Sequence, residues 1–160
     1  HKWTAEGRPT EGGKPQVRHA HFTPMLDPGA AATKAEMLAL VESGGAELVD
    51  ARGAARFRGD NPEPRPGLAA GHIPGSKNLP QDQLFNPDTP AKPGAALRPA
   101  SGPAGFALER PLVTTGGSAI TAAVLLFGAR LLGKEDVRLY DGSWAEWGSD
   151  PDTPKAQGAA

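Results

Sequence analysis

One unit in the second half of the chain constrains the fold more than any other: a strand, a very short glycine loop and a helix. Residues 111–115, Pro-Leu-Val-Thr-Thr, have the β-branched, apolar character of a buried strand. Gly116, Gly117 and Ser118 follow as a turn, and residues 119–132 have helical apolar spacing that ends at Gly133. Such a loop points successive backbone N–H groups inward, and the positive end of the helix dipole adds to them, so that the loop favours an anion. A glycine pair after a strand is also a common plain turn, so the loop alone does not assign a function.

The other predicted elements alternate between strand and helix. Thr33 is a suitable N-cap with Glu36 three residues later, and the helix that it starts ends at Gly44-Gly45. Alternation of this kind predicts an α/β fold, a doubly wound parallel sheet with helices on both faces. The predicted strands besides the first one are residues 47–50, 77–79 and 137–140.

Charged residues follow the strand at residues 47–50. Asp50, Arg52, Arg56 and Arg58 come at or just beyond its carboxyl end, which is where ligands bind in open α/β sheets. Most arginines are merely solvated surface residues, so this placement is suggestive only together with the loop.

The composition excludes several classes of function. The formal net charge is −1, so we expect no nucleic-acid partner and no membrane association. The chain has no cysteine, which excludes disulfides, thiolate metal sites and thiolate catalysis. His19 and His21 have no third ligand nearby, so we expect no metal and no cofactor.

Several motifs in a fixed order resemble a known family. Residues 113–122, Val-Thr-Thr-Gly-Gly-Ser-Ala-Ile-Thr-Ala, are similar to the active loop of tandem-domain 3-mercaptopyruvate and thiosulfate sulfurtransferases of the rhodanese superfamily, where a cysteine stands at position 116. The match continues upstream and downstream, over roughly residues 22–148. The supporting segments are Val49–Arg52, Arg56–Gly59, Glu63–Arg65, Gly71–Gly75, Tyr140–Trp144 and Glu146–Trp147.

The resemblance implies a domain organisation and partners. Members have two rhodanese domains with the catalytic cysteine in the second, so residues 23–150 would be the C-terminal domain. Residues 1–22 would be a linker with the tail end of a preceding domain, and residues 151–160 a flexible tail. The implied partners are an N-terminal rhodanese domain in the same or a separate chain, a small sulfur-donor anion, and a thiol or cyanide acceptor. We expect a cytoplasmic protein.

The resemblance also implies roles for site residues. Gly116 takes the position of the nucleophile, which in the family becomes a persulfide, and Ser118 takes that of a hydroxyl in the loop. Arg56 and Arg65 resemble the anchors for a substrate carboxylate, a task that suits the two parallel donors of a guanidinium. The other residues predicted to bind substrate are Gly117, Ala119, Ile120 and Thr121.

Departures from the family pattern leave three functions open. Glycine cannot attack sulfur, so we expect a sulfurtransferase domain that is inactive with this sequence. The alternatives are a non-catalytic rhodanese module that binds an anion or a partner domain, and, least favoured, an enzyme with Ser118 as nucleophile. Ala119 replaces a second loop glycine, at a cost of about 1 kcal/mol if φ is positive there. The proline-rich stretch 87–103 also departs, since the family usually has a helix there.

Four further residues are expected to be structural. His72 would pack a loop and bond a backbone carbonyl, and Asp50 would order the strand end or a neighbouring arginine. Trp144 and Trp147 would close the core.

Overall fold

The computed structural model describes residues 1–84 and 109–159. The proline-rich stretch 87–103 lies outside these residues. Within them, no helix is long and apolar enough to cross a membrane. The elements in chain order are α1 (Lys2–Ala5), α2 (Lys34–Ser43), β1 (Glu47–Asp50), α3 (Ala54–Arg58), β2 (Ser76–Asn78), a 3₁₀ turn (Gln81–Leu84), β3 (Leu112–Thr115), α4 (Ile120–Leu131), β4 (Val137–Leu139) and α5 (Ser143–Trp147).

The strands form a four-stranded parallel sheet in the order β2-β1-β3-β4. Leu48 lies beside Val113 and Asp50 beside Thr115 in the β1–β3 register. The predicted parallel α/β sheet is therefore confirmed. Because the chain runs outward from β1 to one side and later from β3 to the other, the carboxyl ends of β1 and β3 form the switch point where such sheets bind ligands.

Each face of the sheet is covered by its own apolar cluster, since alternate strand residues point to opposite faces. Leu48 and Val113 belong to one cluster, with α2 and α5, whereas Val49 and Leu112 belong to the other, with α4. This confirms helices on both faces. The first cluster also contains Ala32, Met37, Ala46, Ile73, Tyr140, Trp144 and Trp147, and the second Ala51, Leu79, Leu84, Leu125, Ala129 and Val137.

The four residues predicted to be structural have that role. His72 is buried, stacks on Phe57 with ring centroids 3.8 Å apart, and its Nδ1 lies 2.8 Å from the Phe57 carbonyl oxygen. Trp144 and Trp147 are buried. Asp50 accepts hydrogen bonds from the backbone and side chain of Arg52.

Helix α2 begins as the sequence predicts. The Thr33 side chain accepts a hydrogen bond from the Glu36 backbone, and the Glu36 carboxylate accepts one from the Thr33 backbone. These contacts with Thr33, together with a hydrogen bond from Arg138, lower the pKa of Glu36 to about 2. The helix ends at Gly44, whose left-handed backbone (φ +63°) suits glycine.

The two ends of the chain differ in their contacts. Residues 1–31 are exposed throughout, and their backbone contact with the sheet is at their end, where Ala30 accepts a hydrogen bond from Leu139. By contrast, residues 151–158, predicted to be part of a flexible tail, are joined to the domain: Ala156 exchanges two backbone hydrogen bonds with His72, and Thr153 is buried. The Trp147 indole also donates to the Pro154 carbonyl at 2.7 Å. The tail prediction is therefore corrected, because these backbone pairs and the indole bond make the segment part of the folded domain.

Candidate active site

An open cleft of about 370 Å³ lies at the switch point, at the carboxyl ends of β1, β2 and β3. Its walls combine cations, acids and the glycine loop. The lining residues are Ala51, Arg52, Gly53, Arg56, Glu63, Pro64, Arg65, Leu68, Pro80, Gln81, Asp82, Gly117, Ser118 and Thr121. The cleft therefore brings together segments that are far apart in sequence.

Gly116 is buried at the base of the loop, and its backbone shows where a side chain would point. A Cβ built on Gly116 would lie 2.8 Å from Thr121 Oγ1 and 3.5 Å from the backbone nitrogen of Ala122. A side chain at position 116 would thus be directed at the first turn of α4. In the described part of the chain, the backbone N–H groups of Gly117, Ser118 and Thr121 have no hydrogen-bond acceptor. Thr121 lies in the first turn of α4, where a helix offers N–H groups to an anion, and the loop residues Gly117 and Ser118 add two more.

Helix α5 holds the loop from behind. The backbone N–H groups of Trp144 and Ala145 donate to the carbonyls of Gly116 and Gly117, at 2.9 and 3.1 Å. Buried Ser143 accepts from the Ala119 backbone at 3.0 Å through Oγ, which itself donates to the carbonyl of Tyr140. Residues of the sequence motif 140–144 therefore hold the loop in place by hydrogen bonds. We did not predict this role for Ser143, and its place in the motif was the only available signal.

Ala119 has a positive φ of 62° with ψ −28°, directly before α4. An L-residue with a Cβ is strained in this region, where glycine is not. The positive φ is the condition under which alanine at this position costs about 1 kcal/mol relative to glycine. The bond from the Ala119 N–H to Ser143 holds the backbone in this conformation.

Replacing Ala119 by glycine should therefore not destabilise the protein. Relief of about 1 kcal/mol of strain offsets the loss of a buried methyl group, worth roughly 0.8 kcal/mol. The matched control is exposed Ala123 within α4, where the same change should cost about 1 kcal/mol. Urea unfolding of both variants measures the difference, and an equal loss would contradict the assigned strain.

The two predicted carboxylate anchors both line the cleft but differ in their partners. Arg65 is exposed and forms no ion pair with the residues that the structure describes. Arg56 is paired with Glu63 at 2.5 Å, and its Nη2 would lie 3.1 Å from a Cβ built on Gly117. Only glycine at position 117 lets the guanidinium come this close to the loop without displacement.

A buried row of alternating charges supports Arg56. Arg52 binds Asp50 and Glu63, each at 2.8 Å, and donates to the Gly71 carbonyl. The side chains of Asp50, Arg52 and Glu63 are at most 2% exposed, and the Arg52 guanidinium lies 4.5 Å from the centroid of the Trp144 ring. Charges this deeply buried require partners, so the row is a fixed structural unit.

The structure brings together most of the predicted site residues. Arg56, Arg65, Gly117, Ser118 and Thr121 line the cleft, and Gly116 lies buried at the base of the loop. The other two do not line it: Ala119 is buried and shapes the loop, whereas Ile120 is 77% exposed. Their placement does not support the prediction that these two bind substrate. Glu63 also lines the cleft; the sequence places it in a motif of the resemblance but predicts no role for it.

Comparison with known proteins agrees with this arrangement. The chain is 39% identical to mouse (Mus musculus) 3-mercaptopyruvate sulfurtransferase over 145 residues, 91% of this chain and 49% of the relative. It is 34% identical to the same enzyme of Escherichia coli K12 over 152 residues, 95% and 54% of the two chains. It thus spans about half the length of these curated relatives.

A solved structure and a family model give the same assignment. The crystal structure of SseA from E. coli, described as a 3-mercaptopyruvate sulfotransferase with the "Rhodanese" fold, superposes with a TM-score of 0.72 at 28% identity. The superposition covers 89% of this chain and 52% of that one. The model of the rhodanese-like domain matches residues 33–150, which contain β1 to β4 and all the residues that line the cleft. From this match, the parallel fold and the relatives, we conclude that the chain belongs to the rhodanese-like domain family.

Proposed function

We propose that this chain is the sulfur-accepting domain of a 3-mercaptopyruvate or thiosulfate sulfurtransferase in which glycine stands at the position of the nucleophile. The observation that carries the proposal is the backbone at position 116. Its missing side chain would point at the first turn of α4, beside the cleft that Arg56 and Arg65 line. The identity to 3-mercaptopyruvate sulfurtransferases over 91–95% of this chain supports the same reaction class.

The chemistry proposed for this position needs a thiolate. A cysteine thiolate would attack the sulfane sulfur of thiosulfate, forming one S–S bond while the donor's S–S bond breaks and sulfite leaves with the electron pair. With mercaptopyruvate, the donor's C–S bond breaks instead, and pyruvate leaves as its enolate, which keeps the electron pair and then takes up a proton. A thiol or cyanide then takes the outer sulfur and regenerates the thiolate. Glycine supports none of these steps, so the unmodified chain should bind a donor anion without accepting its sulfur.

Binding of the sulfur-donor anion depends on the charge of the cleft and on the geometry of its hydrogen-bond donors. A carboxylate can take parallel hydrogen bonds from a guanidinium, and Arg56 and Arg65 both face the cleft. The N–H groups of the loop that have no acceptor in the described part of the chain add further hydrogen-bond donors near position 116. A small anion can therefore bind with its carboxylate at the two arginines and its sulfur near the N–H groups of the loop.

The test is the variant Gly116→Cys, incubated with thiosulfate or mercaptopyruvate and examined by mass spectrometry. We expect a mass increase of one sulfur atom that a reducing thiol removes. The matched control is Ala39→Cys, which places a lone thiol at an exposed position of α2 and should gain no sulfur from thiosulfate. Sulfur on the unmodified chain, or equal labelling of both cysteines, would contradict the proposal.

A second function is favoured by one observation, the complete absence of cysteine from the sequence. With this composition the domain can act as a non-catalytic module that binds an anion or a partner domain. Calorimetry separates the two cases: if the unmodified chain binds thiosulfate but Gly116→Cys accepts no sulfur, the binding module is the better description.

We also infer a partner domain of the same family. The curated relatives are about twice as long as this chain, and Ile120, Phe127 and Leu131 expose apolar side chains at spacings that place them on one side of α4. A preceding rhodanese domain would cover such a surface. Co-purification with that domain of a relative, followed by a size measurement, tests this; a monomer indifferent to the added domain would overturn it.

A further inference from the structure

The Arg56–Glu63 pair carries an inference beyond the proposed reaction. Glu63 is nearly fully buried, at 2% exposure, whereas Arg56 is 32% exposed. Arg56 binds the carboxylate with one edge: Nε lies 3.3 Å from Oε1 and Nη2 lies 2.5 Å from Oε2. Glu63 itself is fixed by Arg52, whose Nη1 donates to Oε1 at 2.8 Å. The carboxylate therefore holds Arg56 in one orientation.

The donors that Glu63 leaves free are at the other end of the guanidinium. A guanidinium has five N–H donors, and Glu63 accepts two of them. Among the residues that the structure describes, nothing accepts a hydrogen bond from Nη1 or from the outer side of Nη2. These two atoms would lie 3.8 and 3.1 Å from a Cβ built on Gly117. The free end of Arg56 is thus adjacent to the loop, one residue from position 116.

We propose that Glu63 is the positioning residue for carboxylate binding, acting through Arg56. Glu63 holds the Nε–Nη2 edge of Arg56. The N–H groups of Nη1 and Nη2 at the other end of the guanidinium are then already oriented to bind an anion in the cleft. A planar carboxylate such as that of a 2-oxo acid uses two parallel donors and depends on this orientation. The substrate class rests on the proposed function, but the positioning role does not require sulfur transfer.

The direction in which anion affinity changes when Glu63 is neutralised distinguishes a positioning role from a purely electrostatic one. Glu63 is an acid in an anion-binding cleft, so a residue acting only through its charge would weaken anion binding, and its removal would strengthen it. A positioning residue gives the opposite result. With pyruvate as the probe and the unmodified chain as the reference, Glu63→Gln should weaken binding about tenfold, the worth of one hydrogen bond to a charged group. Isothermal calorimetry gives both dissociation constants.

Two controls complete the test. Asp60→Asn removes the acid of the neighbouring exposed pair with Arg58, which does not line the cleft, and should leave pyruvate binding unchanged. In an Arg56→Met background, Glu63→Gln should cause no further loss, because its effect passes through Arg56. If the glutamine variant does not fold, Glu63→Asp replaces it in the test. Aspartate keeps the charge, but its shorter side chain cannot reach Arg56 in the same way, so it should also weaken pyruvate binding.

Stronger or unchanged pyruvate binding in Glu63→Gln would overturn the proposal, as would a full additional loss in the Arg56→Met background. These results are independent of Gly116→Cys. Failure of that variant to accept sulfur would count against the proposed function and leave the positioning role standing.

Discussion

Replacing Arg52 by alanine should lower the free energy of unfolding by about 3–5 kcal/mol, the cost of breaking a buried ion pair from one side. The guanidinium is only 1% exposed and bonds Asp50, Glu63 and the Gly71 carbonyl. Alanine would leave two buried carboxylates without their shared partner and remove the cation above the Trp144 ring. Urea unfolding followed by tryptophan fluorescence measures the loss.

The matched control for this loss is Arg58→Ala. Arg58 also pairs with an acid two residues away, Asp60, at 2.7 Å, but both side chains are exposed by 42% and 55%. An exposed pair contributes less than about 1 kcal/mol because water screens it. Equal losses for Arg52→Ala and Arg58→Ala would show that the buried row of charges does not stabilise the domain.

The fold could be predicted where its signals are local. The strand–loop–helix unit, the cap at Thr33 and the glycine end of α2 depend on residues within a few positions of one another, and each lies where the sequence predicts it. Helix α4 begins at Ile120 rather than at residue 119, because Ala119 has a positive φ that no periodicity reveals. Helix α3, five residues long, is too short to show a periodic pattern.

The contacts that organise the site are not local, and the sequence did not predict them. Ser143 reaches Ala119 across 24 residues, and Arg52 reaches Glu63 across 11. All four of these residues belong to motifs that resemble the sulfurtransferase family. The motifs indicate that the residues are important but not which residues they contact. Residues 151–158 were misjudged for the same reason: their polar, proline-containing composition is typical of a tail, and only the pairing with His72 shows otherwise.

The thiol of Gly116→Cys should have a pKa below the usual value of about 8.5 for cysteine. Two effects oppose each other at this position. Gly116 is buried, and burial alone favours the neutral thiol. The N–H groups of Gly117, Ser118 and Thr121 have no acceptor among the described residues, and hydrogen bonds to an anion, each worth roughly 1.5–3 kcal/mol, outweigh that penalty.

The measurement is the pH midpoint of alkylation by iodoacetamide, since the thiolate is the reactive form. The chain has no other cysteine, so the signal comes from one thiol, and Ala39→Cys on exposed α2 should titrate near the usual value. The introduced Cβ would lie 2.8 Å from Thr121 Oγ1, so Thr121 must rotate, which threonine in a helix can do because two of its rotamers are populated there. If both cysteines titrate at the same pH, the loop does not stabilise a thiolate, and the position of Gly116 at the base of the loop before α4 has no electrostatic role in sulfur chemistry.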